Sequence, residues 1–70
     1  MTIKIGDKLF IRRSGLMEEV VIENITKSPE GSVRIHFING KGGQENELSS
    51  FFKIYIDNAA EQESLQEVVI

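Results

Sequence analysis

Apolar and polar residues alternate along the first half of the chain. From Ile3 to Arg12, Ile3, Ile5, Leu9 and Ile11 fall on one side of a period-two pattern, and Lys4, Lys8, Phe10 and Arg12 fall on the other. This predicts a first strand entered through a Gly6-Asp7 bend. Ser14-Gly15 is a turn signal, and Leu16 to Ile25 carries the β-branched run Val20-Val21-Ile22, which suits a strand and disfavours a helix. Ser28-Pro29-Glu30-Gly31 then places proline and glycine where a reversing chain uses them. A third strand is predicted over Ser32 to Ile38, with Val33, Ile35 and Phe37 on one face and Arg34, His36 and Ile38 on the other.

Asn39-Gly40-Lys41-Gly42-Gly43 is the strongest hairpin signal, because Asn-Gly accepts the positive φ of a tight turn. A short fourth strand, Gln44 to Leu48, follows it. Ser49-Ser50 before Phe51-Phe52 predicts a single helical turn with a serine cap, after which Lys53-Ile54-Tyr55-Ile56 returns to alternation as a fifth strand. Residues 57–70 admit two readings. One is a short helix capped by Asp57 or Asn58 with Ala60, Leu65, Val68 and Val69 as its apolar stripe; the other is an acidic linker ending in a strand over Glu67 to Ile70. The pattern as a whole predicts a mostly β domain of five short strands over residues 1–56 and an acidic C-terminal tail or helix over 57–70.

Length and composition limit this picture without changing it. Seventy residues with 40% hydrophobic and 27% charged side chains make one small folded domain. With no cysteine, neither a disulfide framework nor a thiolate metal site can staple the core. No apolar run reaches signal-peptide or membrane-spanning length, so the expectation is a cytoplasmic protein that does not enter a membrane. The net charge of −3 is unevenly spread: residues 1–56 hold all eight Lys and Arg against Asp7, Glu18, Glu19, Glu23, Glu30, Glu45 and Glu47, whereas 57–70 hold Asp57, Glu61, Glu63 and Glu67 with no base.

Five short strands with one helical turn before the last resemble the SH3-like barrels, and among them the Tudor domains. The resemblance rests on Lys4-Ile5-Gly6-Asp7-Lys8, on Leu16 to Ile25, and above all on Val33-Arg34-Ile35-His36-Phe37, Asn39-Gly40 and Gln44-Glu45-Asn46-Glu47-Leu48-Ser49-Ser50-Phe51-Phe52. It implies a five-stranded barrel and a binding role. Tudor domains of the methyl-reading kind hold a methylated cation in a cage of aromatic rings. Here the resemblance puts Arg12, Arg13, Glu18, His36 and Asn39 near the cage positions, so it implies a Tudor-like fold without that reader's box.

His36 is the only histidine and has no patterned partners for a metal site or a nucleophilic triad, and the acids sit on strand edges and turns, so no catalytic residue and no cofactor is expected. The Gly40 to Gly43 cluster lacks the Lys-Ser/Thr and the helix of a phosphate-binding loop. The candidate binding set is Lys8, Phe10 and Arg12 on the first strand with Arg34 and His36 on the third, an outward ring among cations. Outward Phe10 calls for a cover, either a ligand or the tail with Leu65, Val68 and Val69. The expected function is a non-enzymatic module that recognises a protein segment or partner subunit. A nucleic-acid reading would add Arg13 and Lys41 to the phosphate contacts, and a third reading pairs exposed strand edges into a homodimer. A monomer or weak homodimer is expected.

Overall fold

The computed structural model describes residues 2–68, with side chains placed through residue 61. Four strands, β1 (Lys8–Arg13), β2 (Leu16–Lys27), β3 (Val33–Ile38) and β4 (Gln44–Leu48), form one antiparallel sheet in the order β1-β2-β3-β4, followed by one helix, α1 (Ser49–Val68). β1 and β4 are the two edges, and the sheet is not closed into a barrel.

Each reversal has a local cause. Between β1 and β2, Ser14 and Gly15 both take positive φ, 51° and 76°, the tight two-residue turn whose twist matches the flanking strands. Before β1, Lys4 to Asp7 forms a turn closed by the Asp7 amide on the Lys4 carbonyl, with Gly6 at φ 92°. The Gly6 amide and the Asp7 carbonyl then bond to Ile22, which extends the pairing with β2. The β3–β4 loop departs from the sequence expectation: neither Asn39 nor Gly40 takes positive φ, and Gly42 holds the left-handed position at 83°. The Asn39 side-chain oxygen instead accepts from the Lys41 and Gly43 amides at 2.9 Å each, so the asparagine builds the loop through its side chain.

β2 carries a bulge at Glu23. Ile22 pairs with Phe37 and Asn24 with His36, leaving Glu23 as the additional residue. Strict alternation would send Asn24 inward and Ile25 outward. The bulge lets Glu23 and Asn24 both stay out while Ile22 and Ile25 both turn in, and the Asn24 side-chain oxygen accepts from the Ile25 amide at 2.9 Å.

The fifth strand expected over Lys53–Ile56 is not formed, and those residues lie inside α1. Four alternating residues are too short a window to separate the two periods. Over a longer window Phe52, Tyr55, Ile56 and Ala59 sit at helical spacings of three, one and three, and these are the residues that α1 turns to the sheet. The single helical turn at Ser49-Ser50 therefore runs on without a break past position 57 to Val68. Of the two readings of 57–70, residues 57–68 are helical, but as the continuation of α1 and not as a separate helix capped by Asp57 or Asn58; Val69 and Ile70 lie outside the described residues.

The core lies between the sheet and α1. Ile11, Val20, Ile22, Ile35, Phe37 and Phe52 are buried together, and Phe37 and Phe52 meet at 5.1 Å between ring centroids, tilted by 53°. Among the described residues no helix is long and apolar enough to cross a membrane.

Candidate functional site

Period-two alternation puts Arg13 on the same face of β1 as Leu9 and Ile11, the face that α1 covers. A charge in that position has to find partners, and it finds them on β2 and β4. Arg13 donates from Nη1 to Glu45 Oε1 at 2.8 Å and from Nη2 to Glu45 Oε2 at 2.5 Å, a bidentate pair, and from Nη2 to Glu18 Oε1 at 3.3 Å. Asn39 adds its Nδ2 on Glu45 Oε2 at 2.6 Å. The guanidinium stands 5.6 Å from the centroid of the Phe37 ring, so the cluster caps the aromatic pair.

This cluster draws one residue from each of β1, β2 and β4 and one from just past the end of β3. Its electrostatics follow from its geometry. The hydrogen bonds from Arg13 first, and from Asn39 second, hold the Glu45 carboxyl down at about 2, and the Glu45 partner holds the Arg13 guanidinium above its already high ordinary value. Three of the five positions that the Tudor resemblance sets near an aromatic cage, Arg13, Glu18 and Asn39, thus converge on a salt-bridged cluster. Arg13 is committed to Glu45 and is not an outward cation.

Beside this cluster the two hairpins leave an open cleft of about 770 Å³. Leu16, Met17, Val21 and Ile38 give it apolar surface, and Gly40 and Lys41 form the opposite lip. Leu16 and Met17 are exposed. Gly40 approaches closely enough that an added Cβ there would lie 3.2 Å from Glu18 Cβ.

The sheet face away from α1, to which Met17, Val21 and Ile38 of the cleft also belong by register, carries Lys8, Phe10, Arg12, Arg34 and His36, as alternation requires. It does not gather them. Strand register makes Lys8, Val21, Ile38 and Gln44 one row across the sheet; Phe10 and Arg12 lie beyond it toward the β1–β2 turn, opposite Glu19 and Met17, whereas His36 and Arg34 lie on the opposite side. Phe10 remains 46% exposed on this face. The cover proposed for it by Leu65, Val68 and Val69 falls on side chains outside those described. Arg12 is half-buried, with its Nε enclosed and without a hydrogen-bond partner. Arg34 donates to Asn46 Oδ1 at 2.8 Å, and His36 Nε2 lies 2.8 Å from Thr26 Oγ1, above a polar hollow of about 360 Å³. Lys41 sits apart at the loop tip, on the lip of the cleft.

Reading strands singly missed the partners Glu18, Asn39 and Glu45 and the apolar cleft. The available signal was a basic residue in phase with Leu9 and Ile11. Among the described residues no three acidic or histidine side chains are placed to hold a metal ion. Compared with known proteins, the chain matches no family model, no curated protein and no solved structure.

Proposed function

We propose that this chain is a non-enzymatic binding module that takes a protein segment in the cleft between its β1–β2 and β3–β4 hairpins. The observation that carries the reading is the apolar surface of Leu16, Met17, Val21 and Ile38 beside a rigid, salt-bridged wall. Apolar surface ringed by polar groups is what a docking site offers, and the bidentate pair fixes the shape of that wall before a partner arrives. Glu18, Glu19 and Glu45 outnumber Arg13 and Lys41 around the cleft, which disfavours a phosphate backbone there. The antiparallel meander and its Arg13–Glu45 contact between edge strands support a scaffold of the SH3-like, Tudor-like type, with α1 standing where the closing strand was expected.

The test is affinity capture on the immobilised full chain, with Leu16→Asp and Met17→Asp as comparison baits and nuclease treatment of the extract. A protein that survives nuclease and is lost from both variants supports the reading. Partners that bind the variants equally, or that vanish with nuclease and fall steeply with salt, overturn it in favour of Phe10 and the outward cations.

A further inference from the structure

Helix α1 has two apolar faces, and the sheet uses only one of them. Phe52 and Ala59 are buried and Tyr55 and Ile56 half-buried against the core, whereas Phe51 and Ile54 are 49% and 51% exposed. Phe51, Ile54, half-buried Asn58 and exposed Glu61 follow one another at spacings of three, four and three, and the sequence carries the same spacing on to Leu65 and Val68. That is the repeat with which one helix packs along another. At 20 residues α1 is about 30 Å long, and Ala60 and Glu61, the last residues whose side chains are described, are exposed.

The order of residues on this stripe reads the same from both ends: two apolar, two polar, two apolar. We infer that α1 pairs antiparallel with α1 of a second copy of this chain through that stripe. In this alignment Phe51 meets Val68 of the twin, Ile54 meets Leu65, and Asn58 meets Glu61, so every apolar position faces an apolar one and the two central polar positions face each other. A parallel pair would instead set Glu61 against Glu61, two like charges. Charge along the helix favours the same direction. Lys53 is the only base of α1 and lies near its start, whereas Asp57, Glu61, Glu63 and Glu67 run toward its end, so antiparallel packing brings each base end to the partner's acidic end. Opposed helix dipoles add in the same sense. The core-facing and outward stripes lie on well-separated sides of α1, which leaves each sheet on its own flank of the pair.

The test uses the full chain in sedimentation equilibrium across a wide concentration range. A reversible monomer–dimer equilibrium is expected, and Ile54→Asp should weaken it at least tenfold while leaving the far-ultraviolet circular dichroism unchanged. Because the chain has no cysteine, direction is read by mixing the Ile54→Cys and Leu65→Cys variants under a glutathione redox buffer. The mixed disulfide should exceed either symmetric one several-fold. A monomer at every concentration, a dimer indifferent to Ile54→Asp, or a predominant symmetric disulfide between two Ile54→Cys chains would each overturn the inference.

Discussion

The Arg13 guanidinium grips both oxygens of Glu45, at 2.8 and 2.5 Å, although β1 and β4 are the opposite edges of the sheet. Backbone hydrogen bonds leave those edges apart. The ion pair joins them at one end, and the sheet must curl over Phe37 for the side chains to meet. Asn39 on the same carboxylate and Phe37 under the guanidinium tie this contact to the loop and to the core. It is a partly buried, bidentate pair within a network, the situation in which an ion pair contributes to stability rather than merely decorating a surface.

The Glu45 carboxyl is held at about 2 in the folded chain against an ordinary 4.5. A depressed folded-state value means that the contribution is present above the ordinary value and is lost as pH falls through the window from there to about 2. The full shift would correspond to roughly 3 kcal/mol, but Glu45 is 33% exposed, and solvent screening reduces this to on the order of 1–2 kcal/mol. Urea midpoints measured from pH 7 to pH 3 should therefore fall more for the natural chain than for Glu45→Gln. Parallel profiles would show that the pair does not stabilise the fold.

Phe37 is fully buried between the Arg13 guanidinium and Phe52. Phe37→Ala leaves a cavity that costs about 3–5 kcal/mol, comparable to the whole stability of a chain this short. The expected result is loss of a cooperative thermal transition, seen by circular dichroism. A transition close to that of the natural chain would mean that the ring is not central.

Deletions on β2 should split by position. Removing Glu23 erases the bulge but keeps Ile22 and Ile25 inward, since the pairs on either side then follow one another without a gap. Removing Val21 shifts the register by one residue and turns the inward set of half the strand to solvent. The first variant should keep its melting transition within about 1 kcal/mol, and the second should not fold. Equal damage from both would contradict the bulge.

Truncation should show where the helix is needed. Stopping after Ile56 removes buried Ala59 and leaves only eight residues of α1, whereas stopping after Glu61 keeps every described core residue. The shorter variant should be the less stable by about 1–3 kcal/mol, and the longer one should stay folded yet fail to self-associate. A longer variant that still dimerises would place the contact elsewhere.

Neighbouring residues along the chain already settle part of this architecture. Alternation set the inward faces of β1 and β3, including buried Ile11, Ile35 and Phe37, although Ile5, expected on the same side, lies in the turn before β1 and is exposed; Ser14-Gly15 and Ser28-Pro29-Glu30-Gly31 set the reversals, because side-chain period and backbone φ are properties of a few neighbouring residues. Tertiary structure decided the rest. Lys53-Ile54-Tyr55-Ile56 satisfies both periods, and only the need of Phe52 and Ala59 to reach one core resolves it as helix. Arg13 is in phase with Leu9 and Ile11, but nothing near it in sequence shows that the curl of the sheet brings Glu45, 32 residues away, to meet it. The outward cations share a face by alternation, but the strand register, which pairing alone sets, keeps Phe10 and Arg12 away from Arg34 and His36. Contacts between distant segments depend on how strands register and how a sheet bends, and no short window of sequence carries that information.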